Sequence, residues 1–231
     1  MDYLLDSIKS AIILAISLDK DLVNIVGVSL QVSFFSTLIA SLIGIPLGCM
    51  VALASFKGKR FVITCLNTLL ALPTVVIGLF VYSFISRRGI LGPLGLLYTQ
   101  KAIIIGQIIL IVPIIATYTI AAISRIDDRY RTTAMTLGAN RIQTAKAIIM
   151  EARFGVAAAV IAAYGRVISE IGISMMLGGN ARGFTRTMTT AMALEYDKGE
   201  FILAVALGII LLSMSFAINA VFHLFQGRSG R

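Results

Sequence analysis

Arg166 and Glu170 are the side chains whose chemistry stands out first, because they lie four residues apart in a stretch, residues 154–181, that is otherwise apolar. On a helix that spacing puts both on one face, within reach of each other. A charge at the centre of a bilayer costs ~2.5–3.5 kcal/mol on insertion scales, so such residues pair or face a polar cavity rather than lipid. Two readings stay open: an ion pair that only holds helices together, and a polar pair on a path through the membrane. Other reactive constellations are missing. Cys49 and Cys65 fall in separate apolar runs and suggest neither a disulfide framework nor a metal site. The single histidine, His223, stands near the end of the last apolar run without neighbours suited to a metal or a triad, which leaves an intramembrane enzyme without support.

A second unusual stretch is TTAMTLGANRIQTAKAIIME, residues 132–151. Asp127 and Asp128 place acids where a helix dipole begins, Tyr130, Ala134 and Leu137 recur at helical spacing, and Gly138 follows as a stop. Asn140 then offers an N-cap with Gln143 three residues on, a capping box, and Ile142, Ala145 and Ile149 form an apolar stripe. The pattern predicts a helix, a glycine corner and a second helix, ringed by Arg129, Arg131, Arg141 and Lys146. Such a knob either folds for stability alone or fits a partner's groove.

The elements around these residues are membrane spans. The chain has 231 residues, of which 58% are hydrophobic and 13% charged, with a mean hydropathy of +0.94, against roughly 45–50% apolar usage in soluble domains. About 20 apolar residues cross the hydrocarbon core. Spans are accordingly expected at 22–56, 61–86, 102–124, 154–181 and 201–225, with the insert at 125–153 between the third and fourth. The fold class is therefore all-α integral membrane, one transmembrane domain over 1–231. The run at residues 11–18 is too short to span and the acids Asp2 and Asp6 precede it, so residues 2–18 are expected to form an interfacial helix and not a cleaved signal. Pro46, Pro73 and Pro113 fall within spans, where kinks are expected.

Five spans place the two ends on opposite sides. The loops on the side of the insert and C-terminus hold eleven Lys and Arg, and the other side holds eight. The positive-inside rule then puts the insert and the C-terminus in the cytoplasm, and membrane orientation explains the net charge of +9 better than nucleic-acid binding does.

The insert resembles the EAA motif of ATP-binding-cassette importer permeases: Thr132, Thr133 and Ala134 stand at the EAA positions, Gly138 at the glycine and Ile148 at the isoleucine, while Met150 and Glu151 replace its Leu-Pro. The resemblance implies that Thr132, Thr133, Ala134, Leu137, Gly138, Ala139 and Asn140 form the coupling helix that docks on an ATPase subunit. Residues 164–183 are similar to molybdate and tungstate permeases, in the step Glu170-Ile171-Gly172 followed by an apolar run and Gly178-Gly179-Asn180. Residues 183–201 look like the tungstate branch, with a Thr-rich turn and a Lys198-Gly199-Glu200-Phe201 entry to the last span.

What the resemblance implies is a permease importing a tetrahedral oxyanion, with Arg166, Ser169, Glu170 and Gly172 on the translocation pathway and Gly178, Gly179, Asn180, Arg182 and Arg186 at the outer mouth. A divalent oxyanion wants N–H and O–H donors, which Arg182, Arg186, Thr185, Thr187, Thr189, Thr190 and a Gly178-Gly179 backbone nest offer; ordinary turn chemistry also accounts for each threonine. Implied partners are a second copy of the chain, two ATP-binding subunits and an extracytoplasmic oxyanion-binding protein. No G-x-x-x-x-G-K-S/T loop occurs, so ATP and Mg are expected on the partner subunit and no cofactor on this chain. The alternative is a proton-coupled secondary transporter using Glu170, for which internal repeats are expected and none is evident.

Overall fold

A computed structural model describes Lys9, Ile12, Ile13 and residues 19–227. Of the interfacial helix expected over 2–18, those first three residues are helical and exposed, and the rest lies outside the described residues. All regular structure among the described residues is helical.

The first long helix, α1, runs Lys20–Leu53 without interruption through Pro46, and α4, Gln100–Ser124, likewise runs through Pro113. Pro73 behaves differently. The span expected at 61–86 is two helices, α2 (Lys59–Leu70) and α3 (Thr74–Ile85), bent at the break between them. Pro73 is the N-cap of α3, where its missing N–H costs nothing, and the residue before a proline is disfavoured in a helix, which ends α2. A short 3-10 turn, Gly92–Leu94, lies in the loop before α4.

The insert is α5 (Asp128–Thr136) and α6 (Arg141–Glu151). After a 59° bend, α7 follows over Arg153–Ile168. The span expected at 154–181 is therefore not one helix. It stops at Ile168 and resumes as the short α8, Gly172–Gly178. Beyond it come α9 (Met188–Asp197) and the last long helix, α10 (Phe201–Gly227). Among the described residues three helices are long and apolar enough to cross a membrane, or five spans result if α2 with α3 and α6 with α7 each count as one. Their outward faces are apolar: Phe34, Leu42 and Met50 on α1 and Leu212 and Phe216 on α10 are exposed, as a lipid-facing surface requires.

The chain divides into two compact units. One comprises Met1–Ser36, Pro73–Gln107 and Tyr164–Arg231. Its core gathers Leu22, Ile25, Ile168, Met188, Ala191 and Leu207, with Val28, Val32 and Ile103 as a second cluster. There α3 packs on α8 and α9 on α10. A buried Ser36 Oγ donates to Gln107 Oε1 at 2.8 Å, pairing two polar groups that would be costly alone in an apolar core.

The other unit comprises Thr37–Leu72 and Ile108–Ala163. Its core holds Cys49, Ile123, Ile148, Ala152 and Val156, beside Val51, Leu66, Ala116 and Ile120. Small residues let α1 and α4 approach closely: a Cβ on Gly48 would lie 2.7 Å from the Ala116 carbonyl oxygen, the kind of contact membrane helices use in place of a hydrophobic driving force.

Candidate functional site

The corner of the insert is built by hydrogen bonds the sequence announces. Asp127 caps α5, accepting from the Arg129 N–H at 2.9 Å. At the other end the Gly138 N–H donates to the Met135 carbonyl and the Ala139 N–H to the Ala134 carbonyl, at 3.1 and 3.0 Å, the paired bonds of a Schellman stop. Gly138 takes φ +83°, the left-handed region that glycine enters without strain. The capping box forms as the sequence predicts: Asn140 Oδ1 accepts from the Gln143 N–H at 2.9 Å and Gln143 Oε1 from the Asn140 N–H at 2.8 Å.

Side-chain placement departs from the expected stripe. Ile142 is 80% exposed and Leu137 82% exposed, while the buried positions of α6 are Thr144 and Ile148. Ile148 is the anchor, packed with Cys49, Ile123 and Val156. The corner thus presents Leu137 and Ile142 as bare apolar side chains. Beside it lies a cleft of about 740 Å³ lined by Leu53, Arg131, Met135, Asn140, Arg141 and Thr144.

Arg166 and Glu170 do meet, with Arg166 Nη1 donating to Glu170 Oε2 at 2.7 Å, but not on one helix. Arg166 is in the last turn of α7, and Glu170 stands in the break before α8. The Glu170 side chain is 3% exposed against 43% for Arg166. Its other oxygen accepts from the Ile173 N–H at 3.3 Å, and its backbone carbonyl accepts from Thr189 Oγ1 at 2.8 Å. One residue therefore ties the end of α7, the start of α8 and the first turn of α9. Gly172 is squeezed in beside it, since a Cβ there would lie 2.9 Å from Thr74 Oγ1 and 3.3 Å from Glu170 Oε1. Ser169 is exposed, its hydroxyl donating back to the Gly165 and Arg166 carbonyls.

The corner after α8 consumes the donors that the sequence offered to an anion. Gly179 caps α8 at φ +70°, its N–H donating to the Met175 carbonyl, so no open nest forms there. Thr185 Oγ1 donates to the Gly178 carbonyl at 2.6 Å and accepts from the Ala181 N–H at 3.0 Å. Thr187 and Thr190 form a capping box at the start of α9. Thr185, Thr187 and Thr190 are buried in this way and serve turns and caps, while buried Thr189 bonds the Glu170 carbonyl. Asn180 Nδ2 donates to the Thr190 carbonyl and Arg186 Nη2 to the Asn180 carbonyl. Arg182 pairs with Asp21, and the hydrogen bond and charge of Asp21 push its guanidinium above the usual arginine range. With Arg186, Glu195 and Lys198 these residues line a cleft of about 250 Å³.

Sequence reasoning missed Thr74, which lies beside Gly172 and Glu170, and Tyr98, whose ring packs on Gly179 and whose φ is +62°; it named Thr189 but not its bond to the Glu170 carbonyl. Contacts between residues so distant along the chain leave no local pattern to find.

Long apolar helices with exposed apolar faces make this an all-helical integral membrane protein. The chain belongs to the family of binding-protein-dependent transport system inner membrane components, whose model matches residues 44–231. It is 37% identical to the tungstate uptake system permease protein TupB of Peptoclostridium acidaminophilum, over 98% of this chain and 99% of that one. Identity to the protein of the same name in Campylobacter jejuni is also 37%, over 96% of this chain and 93% of that one. The fold matches a bacterial ABC transporter involved in the import of alginate, at TM-score 0.77 and 17% identity over 95% of this chain and 83% of that one. It also matches the inward-facing MetNI methionine ABC transporter, at TM-score 0.72 and 18% identity over 88% and 94%.

Proposed function

We propose that this chain is the membrane subunit of an ATP-driven importer of a tetrahedral oxyanion, tungstate or molybdate. The observation that carries the substrate class is the 37% identity to two tungstate uptake permeases over nearly the whole chain. The α5–α6 corner is the coupling element. Leu137 and Ile142, bare in this chain, fill an apolar groove on a separate ATP-binding subunit, which holds the ATP and Mg. The insert and C-terminus then face the cytoplasm, and an oxyanion-binding protein delivers on the opposite side. Two copies of the chain enclose the path between them, with one ATP-binding subunit each.

The lever follows from the chain. A push on the corner is carried by α6, which is anchored at Ile148, and through the bend at Ala152 by α7. That helix is 16 residues of continuous hydrogen-bonded backbone, about 24 Å at 1.5 Å per residue. Arg166 lies in its last turn, so rocking α7 moves the guanidinium and, through it, Glu170 and the start of α8.

The test is reconstitution of the chain with its ATP-binding subunit in proteoliposomes, with tungstate-loaded binding protein on the face opposite the insert. Uptake should require ATP on the insert side and survive a protonophore. Uptake that follows a proton gradient and ignores ATP would sink the reading.

A further inference from the structure

The loop between α3 and α4 carries two arginines that nothing above uses. Arg87 and Arg88 line, with Tyr82, Ser86 and Tyr98, a pocket of about 620 Å³. Neither guanidinium has an ion-pair or hydrogen-bonding partner among the described residues, and no carboxylate lines the pocket. The cleft at Arg182 and Arg186 differs on this point: there Asp21 holds Arg182 and Glu195 holds Lys198. An incoming anion must compete with carboxylates in that cleft and with none beside Arg87 and Arg88.

The platform under the two arginines is fixed. The Leu91 N–H donates to the Phe84 carbonyl at 2.9 Å, and the Gly89, Gly92 and Gly95 N–H groups each close a tight turn on the carbonyl three residues back. A Cβ on Gly89 would collide with the Phe84 and Ser83 carbonyls, and one on Gly92 would lie 2.7 Å from the Arg87 carbonyl. Tyr98 is held as rigidly: its N–H donates to the Leu177 carbonyl at 2.9 Å, and its ring lies against Gly179. Its left-handed backbone, at φ +62°, is the sort of strain that persists only where the surroundings impose it. Ordering a site before the ligand arrives removes part of the cost of binding.

We propose that this pocket is a landing site for a tetrahedral oxyanion dianion on the face of the permease that receives it. Two guanidinium forks match the geometry and charge of such an ion, and the Ser86 and Tyr82 hydroxyls are further donors. The C-terminal end of α3 contributes about half a negative charge nearby, which two full positive charges outweigh. The inference rests on the oxyanion-import reading above, and deepens it by giving the permease its own point of first contact.

The experiment uses the complex of this chain with its ATP-binding subunits in phosphatidylcholine nanodiscs, without binding protein. Tungstate is the probe, by equilibrium dialysis with bound metal counted by mass spectrometry. R87Q and R88Q should each weaken binding about tenfold, R87K/R88K should recover part of it, and K57Q, an equal charge change elsewhere, should leave it within twofold. Unchanged tungstate binding in R87Q/R88Q, with import of tungstate from the binding protein intact, overturns the landing site and leaves the proposed function standing. A wild-type complex that neither binds nor imports tungstate overturns both. Phosphatidylglycerol retained by wild type and lost from R87Q/R88Q, with tungstate binding unchanged, assigns the pocket to a lipid phosphate and overturns the proposal.

Discussion

Substitution of Gly138 isolates the coupling corner from everything else in the molecule. At φ +83° a residue with a Cβ meets the left-handed penalty of ~1–2 kcal/mol, and nothing else is added, because no atom lies within 4 Å of the new Cβ. A penalty of that size lowers the ratio of cornered to frayed insert by roughly 5–30-fold. Asn tolerates the left-handed region better than Ala, and a β-branched Val tolerates it worse. The expected order of retained function is therefore Gly, Asn, Ala, Val. Gly138→Pro falls below all of them, because it also removes the N–H that donates to Met135. Two assays read the series: co-purification of the ATP-binding subunit, and ATP-driven tungstate uptake. The thermal midpoint of the membrane body should stay flat across it, since Gly138 is exposed and a side chain there meets nothing within 4 Å. Equal behaviour of the Asn and Ala variants, or wild-type uptake by Gly138→Val, would refute the argument that the left-handed corner is what the partner recognises.

Glu170→Gln keeps the acceptor for the Ile173 N–H but loses the charge that Arg166 faces; a destabilisation of about 1–3 kcal/mol is expected, read as a lowered thermal midpoint in nanodiscs. Arg166→Met should cost more, approaching the ~3–5 kcal/mol of a broken buried pair, because it strands the more deeply buried partner. In α1, Gly48→Ala drives a Cβ to 2.7 Å from a backbone carbonyl and should cost about 1–3 kcal/mol. Gly27→Ala, which meets nothing within 4 Å, should be neutral or stabilising by up to ~1 kcal/mol; equal midpoints for the two would show that α1 and α4 are not in close contact at Gly48.

Local rules made the insert legible. Asp127, Gly138, Asn140 and Gln143 each act on a backbone group within five residues, so type and spacing in the sequence are enough to place them. Hydropathy made the long helices legible for the same reason: the bilayer thickness sets a length that a run either reaches or does not. The break at residues 169–171 was not legible. Residues 154–181 have the composition of one span, and what ends the helix is three-dimensional: Thr189, nineteen residues on, bonds the Glu170 carbonyl, and Thr74 crowds Gly172. The threonines near 185–190 allowed two readings, and the structure takes the one of turn chemistry for Thr185, Thr187 and Thr190. Their number suggested a donor-lined mouth, yet caps and turns claim their hydroxyls, as short polar side chains beside helix ends commonly do.

On the proposed translocation path, the break would also decide what the charged pair offers to a passing ion. A bare carboxylate in an apolar channel would repel a dianion; at 4 Å two unit charges interact by about 4 kcal/mol at an effective dielectric of 20. Glu170 is not bare. One of its oxygens is taken by Arg166 and the other by the Ile173 N–H, and burial to 3% exposure removes it from the surface. Arg166 is committed only in part: of the five N–H donors a guanidinium carries, one is bonded to Glu170, and 43% of its side chain stays exposed. The pair therefore turns its cationic half outward and hides its anionic half in the helix break. A continuous helix would have set both residues on the same face. Ending α7 at Ile168 leaves Arg166 in the last helical turn and Glu170 in the break, so on the proposed import path an anion would meet the guanidinium and not the carboxylate.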